Sequence, residues 1–242
     1  MILLIDADIT TYQSAASAEN EIEWDPDTWT VDTDLNAAKR HFQWLMDEYQ
    51  RLTGISEYKL CFSHRNNFRK TLYPEYKGNR KSRKPVGYSA VKEWAMATYP
   101  SFCKEGLEGD DCMGILATKF AGKTILVSMD KDLKTIPGKF FKLSPTGDHE
   151  MLEISDQDAE YNFLTQALTG DASDGYPGLP GVGPKKAEEL LKKRGAVWKT
   201  VEDAYAAAGL TKDDAILQGR LARILRVENW DFDKEQIKLW TP

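Results

Sequence analysis

Short apolar runs alternate with stretches of helical spacing along the first two thirds of the chain. Ile2-Leu3-Leu4-Ile5 is a run of four that ends on Asp6, which has the length and composition of a buried strand. Residues 8–19 read as a short helix. Residues 20–32 are polar and acidic with Pro26, and read as a loop in which Trp24 and Trp29 still need somewhere to pack. Leu35, Ala38, Phe42, Leu45, Met46, Tyr49 and Leu52 recur at helical spacing, with Asp32, Thr33 or Asp34 as cap and Gly54 as terminator. Residues 58–63 and 123–128 read as a second and a third strand. Helices are predicted near 88–98 and from Gly109 to Phe120. Residues 140–143 and 151–154 suit shorter strands around a turn at 145–147.

Ser155-Asp156-Gln157-Asp158 resembles a capping box that starts a helix running to Leu168. The pattern stays helical to Val227, apart from the Gly/Pro-rich residues 175–184. Strands alternating with helices, followed by helices alone, predict an α/β fold with a central, mainly parallel sheet flanked by helices. The division expected is a core over 1–154, with an inserted segment at about 65–98, and a helical region over 155–242 packed on it.

At 242 residues with 41% hydrophobic and 11% aromatic content, the chain can bury a sizeable core. No stretch approaches the ~20 apolar residues of a membrane span. The N-terminal run is too short for a signal peptide. Cys61, Cys103 and Cys112 are odd in number and far apart, which suits reduced thiols, a cytoplasmic location and no zinc site.

Chemistry concentrates in four acidic clusters: Asp6; Glu108, Asp110 and Asp111; Asp130 and Asp132; Asp171 and Asp174. Each lies at or just after a predicted strand, or at the opening of a helix. A parallel sheet gathers the carboxyl ends of its strands along one edge, where ligands bind. Many carboxylates in one pocket require cations. Oxygen ligands without His or Cys favour Mg²⁺ or Mn²⁺, and the matching chemistry is two-metal attack on a phosphodiester. Taken singly, Asp110 and Asp111 also suit helix N-terminal residues, and Asp130 and Asp132 suit turn residues.

The net charge of −6 argues against a nucleic-acid partner until its distribution is considered. Arg65, Arg69, Lys70, Lys77, Arg80, Lys81, Arg83 and Lys84 form a strip whose one acid is Glu75. Phe68, Tyr73, Tyr76 and Tyr88 are interleaved with it, as in a groove for a nucleic-acid backbone and its bases. A solvated basic face is the plainer alternative. Further on, Gly178-Leu179-Pro180-Gly181-Val182-Gly183-Pro184-Lys185-Lys186 joins two predicted helices. Free N–H groups and the dipole of the second helix, with Lys185 and Lys186, suit a phosphate. This is a helix–hairpin–helix pattern at about 160–193, with a plain helix–turn–helix link as the alternative.

In order along the chain, Leu3-Leu4-Ile5-Asp6-Ala7-Asp8, Asn67-Phe68-Arg69-Lys70, Pro74-Glu75-Tyr76-Lys77-Gly78-Asn79-Arg80, Lys84-Pro85-Val86-Gly87-Tyr88, Leu107-Glu108-Gly109-Asp110-Asp111, Ser128-Met129-Asp130-Lys131-Asp132, Gly170–Asp174, the glycine hairpin and Ala222-Arg223-Ile224-Leu225 resemble the 5′-nuclease (flap endonuclease) superfamily. The likeness is closest to the 5′→3′ exonucleases of short-tailed bacteriophages. It implies a PIN-like core with a helical, DNA-threading arch and a C-terminal helix–hairpin–helix region. It also implies divalent-metal-dependent 5′→3′ exonuclease and flap endonuclease activity on DNA, in phage replication or primer removal.

By motif, Asp6, Glu108, Asp110 and Asp111 would hold a first Mg²⁺ or its waters, and Asp130, Asp132, Asp171 and Asp174 a second. Lys77 matches the arch lysine of the active site, Arg69 and Arg80 match phosphate-steering residues, and Tyr76 matches a base-stacking aromatic. Lys70, Lys81, Arg83, Lys84, Gly181, Val182, Gly183, Lys185 and Lys186 would contact DNA, and in relatives the hairpin carbonyls can also hold K⁺. The expected partner is duplex DNA with a 5′ end, nick or flap, with RNA–DNA hybrids a further candidate. The protein is expected to be a monomer in the bacterial cytoplasm, with any polymerase a separate chain. His64 stands where relatives often carry an aspartate. Its role is left open between a lost outer-shell acid and an ordinary loop histidine. A non-catalytic DNA-binding protein and a PIN-like ribonuclease are the rival readings.

Overall fold

A computed structural model describes residues 1–242. Six strands form the central sheet in the order β5-β4-β1-β6-β7-β8. These are β1 (Ile2–Asp6), β4 (Tyr58–Cys61), β5 (Ser101–Phe102), β6 (Thr124–Ser128), β7 (Gly138–Lys142) and β8 (Glu150–Ile154). All neighbours run parallel except β7 and β8, so the predicted mainly parallel sheet is present. β1 lies between β4 and β6, with Leu3 opposite both Tyr58 and Ile125. The chain adds β4 and then β5 on one side of β1, then crosses over to add β6 on the other. This switch places a crevice at its carboxyl end, just where Asp6 stands.

Helices cover both faces. On one side α1 (Ala7–Ser17), α2 (Leu35–Thr53) and α4 (Tyr88–Thr98) bury Phe42, Met46 and Val91 against Leu3, Ile5 and Val127. On the other, α5 (Gly109–Lys119) buries Met113, Ile115 and Leu116 against Leu4, Leu126 and Phe140. The successive residues of β1 thus feed opposite cores, as period-two geometry requires. Ile224, Leu225 and Trp230 join the second core from the C-terminal region. A third core lies among α6 (Asp156–Thr169), α7 (Pro184–Arg194), α8 (Trp198–Ala207) and α9 (Lys212–Ala222), and Tyr76 reaches it from the strip after β4.

Two sequence expectations are corrected. Residues 20–32 are not a loop: β2 (Glu19–Asp25) and β3 (Thr28–Thr33) form an antiparallel hairpin. Its tryptophans do not enter a core; Trp24 is 67% and Trp29 53% exposed. The strip after β4 is helical at its two ends, in α3 (Phe68–Leu72) and α4, with turns and irregular backbone from 73 to 87. Pro74 and Pro85 account for that interruption, since each removes an N–H donor and pushes its predecessor out of the helical region.

Candidate active site

Strand and helix ends bring five acids to one hollow. Asp6 closes β1 and caps α1, accepting from the Ile9 N–H at 3.3 Å. Its other oxygen accepts from the Ser128 hydroxyl at 2.7 Å, at the end of β6. The same hydroxyl accepts from the Asp130 N–H at 3.0 Å. Glu108 and Asp110 enter from the start of α5, where the helix dipole favours negative charge. Asp6, Asp8, Glu108, Asp110 and Asp130 line a pocket of about 260 Å³, and Lys77, Arg80 and Lys84 reach it from the irregular strip.

The electrostatics of this pocket are those of a cation site. Burial, then the nearby Asp8, pushes the Asp6 carboxyl up to about 7. Burial, with Asp130 and Asp6 beside it, drives Asp110 well above the carboxylate range. Burial would also raise Glu108, but Arg69 and Lys77 outweigh it and hold that acid down at about 2. Desolvated carboxylates that repel one another become stable anions once a divalent ion joins them. No three of them converge on one point suited to a metal ion.

A second group lies beyond Asp130. Asp132 accepts from the Gln166 amide at 2.7 Å, and burial followed by Asp130 and Asp171 pushes it up to about 7. Asp171 and Asp132 share a hollow beside α6. Burial would raise Asp171, but the Ser173 hydroxyl and the N–H groups of Ser173 and Asp174 outweigh it and lower its carboxyl. Asp174 accepts from the Tyr76 hydroxyl at 2.8 Å and from Arg80 at 2.7 Å, and lies 3.6 Å from the Lys77 amine. Lys77 also pairs with Glu108. Burial works against the charge of Lys77, but Glu108 and Asp174 raise its pKa, so it stays protonated. The Lys77 backbone is left-handed (φ 56°), a conformation held in place by its N–H donating to the Asp174 carbonyl at 2.7 Å.

Three expected site residues have other roles. Asp111 is fully buried and accepts two hydrogen bonds from Arg69, at 2.7 and 2.8 Å. The N–H groups of Glu108 and Leu225 donate to the same carboxylate, leaving it no free face for a metal. Arg69 is 3% exposed and also donates to the carbonyls of Leu221 and Arg223, so it cannot reach a DNA phosphate. Tyr76 is 2% exposed, stacked on Tyr176, with its hydroxyl shared between Glu108 and Asp174. It is therefore not a surface for stacking a base.

The remaining basic residues form a strap across the pocket, and both ends of it are pinned. At one end Arg80 grips Asp174 and the Asn79 amide donates to the Ala172 carbonyl at 2.6 Å. At the other, Arg83 pairs with Glu19 at 2.6 Å, at the base of the β2–β3 hairpin, and the Val86 N–H donates to the same carboxylate at 3.0 Å. Lys81, Arg83 and Lys84 are exposed along it, and Lys70 is exposed on α3.

The C-terminal hairpin is built around Gly170 and Gly178, both left-handed and stacked backbone to backbone with no room for a side chain between them. Val182 points inward to the third core, whereas Gly181, Gly183, Lys185 and Lys186 are exposed. Pro184 opens α7 and no side chain caps it, so its first N–H groups lack a side-chain partner.

Sequence reasoning gave no site role to Asp8, Ser63 or Lys92, and read Tyr88 as a groove aromatic, whereas it is buried with its hydroxyl on Asp8. Asp8 accepts from the Ser63 N–H at 2.7 Å, the Tyr88 hydroxyl at 2.7 Å and Lys92 at 3.0 Å, which ties α1 to α4 behind the pocket. The Asp-x-Asp spacing of Asp6 and Asp8 was the available signal. His64 does not line the carboxylate pocket. Its Nδ1 accepts from the Asn66 N–H at 3.2 Å, and it faces a neighbouring cleft.

A family model described as "5′-3′ exonuclease, N-terminal resolvase-like domain" matches residues 1–159. The exodeoxyribonuclease of Enterobacteria phage T3 and the exonuclease of Escherichia phage T7 are each 32% identical, over 100% of this chain and 93% of theirs. A flap endonuclease, Xni, of Vibrio campbellii is 30% identical over 69% of the chain and 70% of its own length. Among solved structures, phage T5 D15 protein co-crystallised with metal ions superposes with a TM-score of 0.67 at 16% identity, covering 92% of this chain and 89% of that one. The catalytic core of Rad2 in complex with a DNA substrate gives 0.51 at 17%, covering 96% and 75%.

Proposed function

Because the chain belongs to the 5′→3′ exonuclease family, we propose that its carboxylate pocket hydrolyses DNA phosphodiesters from a 5′ end and cuts at flaps. It is a phosphodiester hydrolase that works with divalent metal ions, Mg²⁺ or Mn²⁺ by the chemistry of its donors. The observation that carries this reading is one pocket in which Asp6, Glu108, Asp110 and Asp130 face Lys77, Arg80 and Lys84. The oxygen-only donor set and the raised carboxyls fit hard cations. Asp6, Glu108 and Asp110 would hold one ion, and Asp132, Asp171 and Asp174 a second. Asp130 stands between them, its charge felt by Asp6 and Asp110 on one side and Asp132 on the other. When bound, the pair supplies positive charge to the attacking and leaving oxygens.

The chain's own residues position the strand. Lys77, charged and partly desolvated, is placed to neutralise a scissile phosphate that displaces its carboxylate partners. Lys81 and Lys84 along the strap attract the backbone. The α7 N-terminus with Lys185 and Lys186 would grip duplex phosphates without reading sequence. Carbonyls about Gly181 and Gly183 would suit a K⁺ ion there. An RNA–DNA hybrid offers the same backbone chemistry and is a second candidate substrate. We expect a monomer acting in the bacterial cytoplasm, with a replication polymerase on a separate chain as a candidate partner.

A DNA-binding protein without catalysis would have no reason to keep a set of desolvated, mutually repelling acids. The test is digestion of 5′-labelled flap, nicked and blunt duplexes with Mg²⁺, with Asp130→Asn as the control. Loss of cleavage in the variant, with DNA binding retained, is the expected result. Unchanged turnover of the variant in saturating Mg²⁺ would remove Asp130 from the metal site.

A further inference from the structure

A second cleft, of about 580 Å³, shares Ser63, Lys84 and Tyr88 with the carboxylate pocket and lies on the far side of them. Its volume falls in the range of small-ligand sites, about 300–1,000 Å³. Arg65, Lys84, Lys92 and His64 line it, with Ser89 as a hydroxyl donor and Glu93 as its one carboxylate. Arg65 and Ser89 are exposed and make no side-chain hydrogen bond or ion pair within the chain, so they are free to bind a ligand. Lys84 is held with its amine 3.9 Å above the Tyr88 ring. Lys92 is fixed by Asp8 and by the Ser63 carbonyl at 2.6 Å. In contrast to the carboxylate pocket, this cleft carries a positive balance.

We propose that this cleft receives the 5′-terminal nucleotide of the strand being cut and binds its terminal phosphate. The proposal rests on the nuclease reading of the adjoining pocket. The shared wall at Ser63, Lys84 and Tyr88 lets a strand whose scissile phosphate lies in the carboxylate pocket extend into the cleft, and in removal from a 5′ end the nucleotide beyond that phosphate is the terminal one. A terminal phosphate carries one more negative charge than an internal diester, and Arg65 with Lys84 suits that extra charge. His64 serves the same end. An aspartate at this position would set a carboxylate among these cations and repel a phosphate.

The experiment compares removal of the first nucleotide from one blunt duplex carrying either a 5′-phosphate or a 5′-hydroxyl, at fixed salt and saturating Mg²⁺. The wild-type protein should show a KM about tenfold lower for the phosphorylated end, the effect of one good charge-assisted contact. Within each of Arg65→Gln and His64→Asp, the ratio of the two KM values should fall toward one. Reading the ratio within one variant cancels any general loss of DNA binding. As a second probe, dAMP should compete with substrate and deoxyadenosine should not, and Arg65→Gln should lose that inhibition. Equal KM values for the two ends in the wild-type protein would overturn the proposal. Cleavage of both ends would then leave the nuclease reading intact, whereas no cleavage of either end would sink that reading instead.

Discussion

Replacing Arg69 with methionine separates a buried structural role from a DNA-binding one. The side chain donates to Asp111 twice, to Glu108 at 3.1 Å, and to the Leu221 and Arg223 carbonyls at 3.0 and 2.6 Å. Arg69 is 3% exposed and Asp111 fully buried, so water cannot take over these contacts. Removing one partner of such a pair costs about 3–5 kcal/mol, because the other charge stays buried and unpaired. In a chain of this size each kcal/mol lowers Tm by about 2–4 °C. Arg69→Met should therefore melt about 6–20 °C below the wild-type protein, measured by circular dichroism in EDTA. Asp111→Leu should be similarly destabilised. The double variant should be less damaged than the sum of the two by about 0.5–3 kcal/mol, since neither charge is then stranded. Arg69→Lys should also destabilise, because an ammonium cannot reproduce the planar fork. A normal Tm for Arg69→Met, with weakened DNA binding and a shallower salt dependence, would refute the buried role.

The pH dependence of the metal-free protein follows from its raised acids. Asp6 and Asp132, both near 7, and Asp110 keep protons that the unfolded chain, titrating near ~4, has released. Stability in EDTA should then fall as pH rises from about 4 through about 7, and a Tm that climbs through that window would contradict the assignment. Because the cation displaces these protons, Mg²⁺ should raise Tm more at pH 8 than at pH 6; equal gains would argue that these acids do not bind it. Lys77→Ala should lower kcat more than it raises KM, while Lys81→Ala should mainly raise KM and flatten its salt dependence; the reverse pattern would place the active-site lysine elsewhere. His64→Asp should leave the Mg²⁺ concentration for half-maximal flap cleavage at the wild-type value, whatever it does to KM, since His64 lies outside the carboxylate pocket.

Which features were legible in the chain depended on how local their cause is. Asp6 follows directly on an apolar run and Asp130 follows another by two residues, so their place at the sheet edge could be read from neighbours alone. Asp110 and Asp111 looked equivalent because they are adjacent. One helical residue turns the side chain by about 100°, which sends Asp110 to the pocket and Asp111 to the core. Only the position of α5 against the sheet decides which is which. Arg69 reads as surface charge in a basic strip, since its partners stand far away in sequence at Asp111, Leu221 and Arg223. The β2–β3 hairpin had its alternation, with Ile22 and Trp24 on one strand and Trp29 and Val31 on the other. With neither face buried in a core, that alternation lacked the polar-to-apolar contrast that normally marks a strand.

The pinning of the strap makes the hairpin part of the entrance to the pocket. Arg83, Glu19 and Glu21 on one side, and Arg80 with Asp174 on the other, form a frame whose arginines are more than half exposed. Exposed ion pairs weaken as ionic strength rises and the Debye length shrinks from about 10 Å toward 3 Å. DNA phosphates compete for the same guanidinium groups. Added salt thus acts twice, once by retaining counterions on the DNA and once by loosening the frame that a strand must pass. The first effect alone gives a straight line when the logarithm of affinity is plotted against the logarithm of salt. With the second superimposed, the plot for strand entry should bend, and the bend should vanish when Glu19 is neutralised to glutamine. An acidic hairpin that never touches the scissile bond would in this way set the range of ionic strength over which the nuclease admits its substrate.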